Sequence, residues 1–447
     1  MSHRRAFLTS LLIASTALGA RTAAAQESLT LSQAVTAALG GSDEMAAAAA
    51  AADAAQQRVP QARAGWLPRV DLSQSWQRGN QPVFVFGSLL AQRQFADADF
   101  ALRNLNTPDP ITNRRTAFSL EQVVFDGGRT RAEVRAAKFG ADIARGAERQ
   151  VRHDMALAAT RAYGAVLRAA AEHAAAAFAV TAAEEDVRVG EARRDAGTGT
   201  EADVLSMRVH LAAMRARAID AASAVRIARA ELNRLMGAPL DREFATVEPA
   251  VSETQIAAPG PSIERALEQR PDVAEAQLRL DIGRAMTASA RAALLPQVAA
   301  QAGYEWNDGR RGSAASAWIA GVNIRMNLFE GGAALARVRE STHAVARADA
   351  ERRRIDRAVR VEVLTAVEQV ASARARHAVA RSAVAQARES QRMIRDRYEA
   401  GLAPASDAIR AATAALDAEA QRVGAIVDLI VAEAALRRAV GGEEVLP

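Results

Sequence analysis

The sequence predicts a mostly α-helical chain with a small β part, in which long antiparallel helical hairpins join four amphipathic strands of a shared transmembrane barrel. Three observations predict it: an internal duplication, two long proline-free helical patterns, and strict period-two alternation in the segments between them.

The duplication has two offsets. ALGGSDEM at 38–45 lies 228 residues before ALEQRPDV at 266–273, and the same shift carries ARAGWLPRV, ending at Val70, onto ARAALLPQV, ending at Val298. FDGG from Phe125 maps onto FEGG from Phe329 with a shift of 204, which then carries Gly197 onto Gly401 and Gly237 onto Gly441. The first copy is therefore 24 residues longer between these landmarks. The excess falls in 78–113, which holds four of the eleven phenylalanines and the turn-rich NTPDPITN, and reads as an enlarged loop between paired strands.

Taken in order, Arg4 and Arg5 precede an apolar run to Ala20 and the small residues Ala23-Ala24-Ala25, the pattern of a secretory signal peptide over 1–25. The first repeat is 26–237, with a helix, a β-hairpin at 67–126 and a long helical hairpin at 128–236. A proline-rich linker at 238–262 leads into the second repeat, 263–442, with its β-hairpin at 295–329 and helical hairpin at 333–440, before a short tail at 443–447.

Strand patterns are clearest in the second copy. Trp318, Ala320, Val322, Ile324, Met326 and Leu328 alternate with Gly321, Asn323, Arg325 and Asn327, and Val298, Ala300, Ala302, Tyr304 and Trp306 oppose Gln297, Gln301 and Glu305. In the first copy Val70, Leu72 and Trp76 oppose Arg69, Asp71, Ser73 and Ser75, and Phe118, Leu120 and Val124 oppose Ser119 and Glu121. Each strand has roughly the ~9–11 residues of a tilted membrane strand. Trp76, Tyr304, Trp306 and Trp318 cluster at the loop-side ends, as an interfacial girdle requires. Four strands cannot close a barrel, since the smallest outer-membrane barrels use about eight and an open edge in lipid leaves backbone groups unpaired. Strands must be pooled between subunits, and three copies supplying twelve is the simplest cyclic solution.

The helical patterns at 128–195 and 333–397 contain no proline and would each reach on the order of 100 Å. In the second, Val345, Ala348, Ile355, Val359, Val363, Val367 and Val370 form a coiled-coil-like seam. Each pattern meets a glycine-bearing turn, DAGTGTEAD at 195–203 or EAGLAPASD at 399–407, and a second helix returns. Gly127-Gly128 and Gly331-Gly332 allow a sharp strand-to-helix change, with Asp126 and Glu330 at the helix starts. Pro68 and Pro296 mark the opposite change, because the residue before a proline is pushed towards extended geometry.

Composition agrees with long packed helices: half the residues are apolar, only 4% are aromatic, and alanine dominates. The chain has no cysteine, which excludes a cysteine-linked lipid anchor, disulfides and thiolate-metal chemistry. Acids and bases interleave, 52 against 57 for a net charge of +5, as on solvated helix surfaces and not on a nucleic-acid-binding face.

The Leu-Pro approaches, the FDGG and FEGG exits, and the turns RRDAGTGTEADVL and RYEAGLAPASDAI together resemble the TolC family of outer-membrane efflux proteins over nearly the whole mature chain. The resemblance implies a homotrimer embedded in outer-membrane lipid, with a twelve-stranded barrel continued by a helical barrel across the periplasm. It further implies a periplasmic adaptor and an inner-membrane transporter as partners, with drugs, other small molecules or proteins as cargo. By that resemblance the turns at Gly197, Thr198, Gly199 and Gly401, Leu402, Ala403 form the periplasmic tip where adaptors dock. Asp407 matches a tip aspartate that narrows the family's pore, and Asp203 is its counterpart in the first copy; Arg410 and Ala411 stand where further acids often occur in the family.

Rival classes lack support in the residues. GTGTEA at 197–202 has the spacing of a dinucleotide fingerprint but follows a long helix instead of a strand. No zinc-protease, P-loop or nucleophile-elbow motif is present, so no catalytic residue, cofactor or metal is expected. His173 and His377 are related by the 204 shift, the one hint of heavy-metal cargo, and packing explains them more simply.

Overall fold

The computed structural model describes residues 28–250, 258–309, 314–400 and 402–442. The signal segment, the tail, the middle of the linker and Gly401 lie outside the described residues. In chain order the elements are β1 Ser28–Leu29, α1 Leu31–Gly41, α2 Asp43–Gln56, α3 Arg58–Arg63, β2 Arg69–Gly79, α4 Pro82–Ala91, α5 Leu102–Asn106 and β3 Ile111–Phe125. There follow α6 Arg129–Asp195, α7 Glu201–Leu235, β4 Ala245–Thr246, α8 Pro259–Gln269, α9 Pro271–Ala292, β5 Gln297–Asp308, β6 Ala315–Arg325, α10 Ala333–Glu399 and α11 Ala405–Val440.

The two offsets of the repeat reappear as geometry. α6 and α10 each have 67 residues and begin 204 positions apart, while α1 and α8 each have 11 and begin 228 apart. β2, β3, β5 and β6 form one antiparallel sheet in that order, so the two hairpins lie side by side and both outer edges, β2 and β6, are unpaired among the described residues. The register sets Leu72 opposite Phe118, Phe118 opposite Tyr304, and Tyr304 opposite Trp318, one apolar face across all four strands. Asp71, Ser73, Ser119, Glu121, Gln301 and Glu305 share the other face.

Three details differ from the sequence reading. The bulge between Val123 and Phe125 pairs Phe125 with Val298, so Phe125 and not Val124 continues the apolar face. β6 ends at Arg325 opposite Gln297, because Pro296 has no N–H to extend the ladder to Met326 and Leu328. The first-copy excess is folded: it forms α4, a 3-10 turn at Asp97–Phe100 and α5, with Phe95 set edge-on against Phe86 and Phe100.

Beyond the sheet, α6 and α10 run with return helices α7 and α11 over one half of their length and pack on α9, and α6 also on α2, over the other. The core sits midway. Val35 of α1, Tyr163 and Val166 of α6, Leu232 of α7, Val427 of α11 and Phe244 form one cluster, and Ala266 of α8, Val359, Val363 and Val367 of α10 and Ala439 of α11 another. The small alanine and valine side chains let these helices approach closely, and the burial is greatest where the short helices dock.

Candidate functional site

The strand-to-helix hinges, the helical tips and the sheet are the three places where this fold can do something other than pack. At the first hinge Gly127 and Gly128 adopt φ of 69° and 88°, and at the second Gly331 and Gly332 adopt 63° and 83°. These left-handed values favour glycine, and they turn the chain out of the sheet within two residues. The Asp126 carboxylate accepts from the Gly128 and Thr130 N–H groups at 2.9 and 2.7 Å and so caps α6. Glu330 is used differently: its carboxylate pairs with Arg337 at 2.7 Å. Pro68 and Pro296 each stand one residue before a strand, β2 and β5.

At the first tip α6 closes with the Gly197 N–H donating to Arg194 O at 2.9 Å and the Thr198 and Gly199 N–H groups to Arg193 O at 2.8 and 3.1 Å. Gly197 has φ of 74°. Thr200 and Asp203 then form a reciprocal capping box: the Asp203 N–H donates to Thr200 Oγ1 at 3.2 Å, and the Thr200 hydroxyl donates to the Asp203 carboxylate at 2.7 Å. That hydroxyl, followed by the Thr200 N–H, holds the Asp203 carboxyl below the usual aspartate range.

The second tip departs from this pattern. α11 starts from Pro404, which has no side-chain cap, and the Asp407 N–H donates to Pro404 O at 3.1 Å. The Asp407 carboxylate is engaged only loosely, 3.9 Å from Arg410, and its side chain is 45% exposed. Leu402 is exposed and its N–H donates to Arg397 O at 2.8 Å; Ala403 beside it is half-buried. Repeat-related aspartates thus have different duties, Asp203 as a helix cap and Asp407 as an available charge. Near the tips Asp186 of α6 is pushed up by burial, against the pull of His210 of α7 and Arg410 of α11.

The sheet has the outline of a membrane wall segment. Val70, Leu72, Trp76, Trp318, Val322 and Ile324 are all exposed in the single chain, on one face, while the opposite face is polar. Across the polar face Arg115 and Glu305 pair at 2.6 Å. Sequence reasoning missed a second set of polar contacts there. Gln92 donates to Thr112 O at 2.9 Å and to Asn113 Oδ1 at 3.0 Å, and Asn113 donates to Asn307 at 3.0 Å. No local signal reveals it, because the partners are brought together only by the sheet register. Among the described residues no group of three or more His, Asp or Glu side chains is placed to hold a metal, and no helix is long and apolar enough to cross a membrane.

A four-stranded, two-edged sheet with one apolar face, continued by helices about 100 Å long, defines the class: a membrane channel protein. The family model described as "Outer membrane efflux protein" matches residues 34–238 and 262–442, one stretch for each repeat, and the chain belongs to that family. It is 26% identical over 350 residues to the outer membrane efflux protein BepC of Brucella suis, covering 74% of each chain. It is 28% identical over 171 residues to the alkaline protease secretion protein AprF of Pseudomonas aeruginosa, covering 36% of this chain and 34% of that one. The fold is similar to the Campylobacter jejuni CmeC outer membrane channel, with a TM-score of 0.78 at 17% identity over 92% of this chain and 85% of that one. The Vibrio cholerae outer membrane protein VceC gives 0.72 at 21% identity, over 92% and 96%. The protein is an outer-membrane efflux or secretion channel subunit.

Proposed function

We propose that three copies close their sheets edge to edge into a twelve-stranded outer-membrane barrel, and that their helical hairpins form one tunnel through the periplasm. The observation that carries this reading is the pair of unpaired edges, β2 and β6, on a sheet whose exposed apolar face leaves no place for it in water. The duct is passive: its helical tips receive cargo from an inner-membrane transporter through a periplasmic adaptor that contacts Gly197, Thr198, Gly199, Gly401, Leu402 and Ala403. Efflux is the favoured task, by the likeness to the outer membrane efflux protein BepC, with drugs and other small molecules as the cargo. Likeness to AprF over a shorter stretch favours a second reading, protein secretion.

In this arrangement the polar sheet face lines the lumen, and three copies of Asp407 meet at the narrow periplasmic end, where a carboxylate ring attracts cations. Purified protein should run as a trimer in native mass measurement and produce uniform single-channel currents in a planar bilayer. A monomer, or a trimer without conductance, overturns the reading. The cysteine-free sequence permits a direct test of the edges: one cysteine on β2 combined with one on β6 of the same chain should cross-link between subunits and not within one.

A further inference from the structure

The 24-residue excess of the first hairpin is the one substantial element that the duct does not require, and its placement assigns it a task. α4 crosses the outer ends of all four strands. At its start Phe84 lies beside Gly79 of β2, where an added β-carbon would sit 3.8 Å from the ring. At its end Gln92 bonds Thr112 and Asn113 of β3, and it fills the space over Gly309 in the β5–β6 connection so tightly that a β-carbon there would collide with the carboxamide. Arg93 completes the crossing by donating to Ser316 O of β6 at 2.9 Å.

These attachments lie on the polar side of the sheet. Asn113 and Arg115 alternate with Arg114, which faces Trp76, and Asn307 pairs with Arg115. Gln92 is 4% exposed and Asn307 1%, so the carboxamide chain is shut off from water, where each hydrogen bond is costly to lose. The backbone is bent to make it: Arg93 is the one non-glycine residue with positive φ among those described, 53°, directly after the end of α4. Such a conformation persists only where the surroundings over-determine it.

The opposite face of α4 is only partly covered. Val85 and Ser88 are buried, whereas Val83, Phe86 and Leu90 recur at i, i+3 and i+7 on the other side; Phe86 is set edge-on against Phe95 at one edge of this stripe, and Val83 and Leu90 are left exposed, Val83 at 80%. Twelve strands spaced ~4.8 Å and tilted ~40° close into a barrel roughly 24 Å across. A helix with its side chains is about 10 Å wide. Three such helices laid inwards from the wall meet around the axis, and their apolar stripes cover one another.

We infer that the first-hairpin insertion is an inward-folded plug at the outer mouth, latched to the lumenal wall by Gln92, Arg93, Asn113 and Asn307, and closed on the axis by the exposed Val83 and Leu90 of the three copies. The inference rests on the barrel reading above. It makes the outer mouth a second constriction, separate from the helical tips, which cargo must displace.

The test compares single-channel conductance of the full-length trimer with two variants, one with 82–106 replaced by a short Gly-Ser linker and one carrying Gln92→Leu. The linker variant is expected to conduct about two-fold or more above the parent, as removing material from a fixed-width barrel requires. Gln92→Leu is expected to retain the trimer but fluctuate between the parent level and that higher level. If both variants form trimers and conduct at the steady parent level, the plug is overturned while the duct stands. If parent and variants alike form trimers that pass no current, the duct reading falls, and the plug with it.

Discussion

Arg270 Nη1 lies 2.8 Å from the Glu362 carboxylate and 2.9 Å from Ala439 O, with the guanidinium side chain only 6% exposed. The other side of Arg270 bonds Asp272, and Glu362 also receives Arg438, which reaches Asp154. One chain of charges therefore fastens α6 and α10 near mid-length to the start of α9 and the end of α11, where the short helices dock. Burial raises the Asp272 pKa, but the hydrogen bond and charge of Arg270 outweigh it, so the folded carboxyl lies below its ordinary value. A depressed folded pKa gives stability that is present above the unfolded value, about 3.9, and is lost as pH falls through the folded one. Glu362→Gln should lower stability at neutral pH by ~1–3 kcal/mol, read as a drop in melting temperature. Asp272→Asn should be destabilised at neutral pH and lose less than the parent on acidification below about pH 4. Parallel acid-stability curves for parent and Asp272→Asn would reject this account.

Tyr163 makes the next prediction. Its buried hydroxyl lies 2.7 Å from Leu29 O and from Val247 O, and it accepts from the Val247 N–H at 2.9 Å, tying β1 and the residue after β4 to the middle of α6. Burial raises the Tyr163 pKa. The stabilisation is therefore complete below the unfolded value, near 10, and is lost only as pH rises through the higher folded one. Tyr163→Phe should cost about 1–2 kcal/mol, uniformly across neutral and mildly acidic pH, and should speed amide exchange at Val247. Unchanged exchange there would show that the hydroxyl does not hold the strand.

The two hinges allow a controlled comparison. A β-carbon on Gly127 would lie 2.8 Å from Ala292 O, whereas one on Gly331 would meet nothing within 4 Å in the chain. Both positions carry the left-handed strain, ~1–2 kcal/mol for alanine, and only Gly127→Ala adds overpacking of roughly 1–3 kcal/mol. Gly127→Ala should therefore melt at a lower temperature than Gly331→Ala. Equal losses would mean that a neighbouring subunit crowds Gly331 in the assembled channel.

Much of this fold is written locally. Strand alternation at Trp318–Ile324 and the paired glycines at 127–128 and 331–332 need only neighbours a few residues away, and the 204 shift reproduces the equal lengths of α6 and α10. What escapes a sequence reading depends on partners far along the chain. Alternation alone puts Val124 on the apolar face, and the register with β5 introduces a bulge that gives the place to Phe125. PVFVFGSLLA is too apolar throughout to show a helical face, and its anchors Asn113 and Ser316 stand beyond it in two different strands. The repeat itself conceals the Arg270 network. By the 228 shift Arg270 corresponds to Ser42, which merely caps α2 through Met45 N–H at 3.2 Å, so the second copy has turned a capping position into a charged clamp.

The same divergence within the repeat governs the tips. Asp203 is committed to Thr200, so Asp203→Ala should loosen the start of α7, seen as faster amide exchange there, and leave the open-channel current unchanged. Asp407 instead faces Arg410 loosely, at 3.9 Å. In the proposed trimer Asp407→Ala removes a carboxylate ring and should raise single-channel conductance while weakening its dependence on divalent cations. Arg410 opposes that ring, so Arg410→Ala should act in the reverse direction, strengthening cation preference. The pair of substitutions separates a charge effect from a packing effect, because disruption of packing would move both variants the same way. If Asp407→Ala reproduces the parent record in conductance and cation dependence, the second tip does not gate by charge.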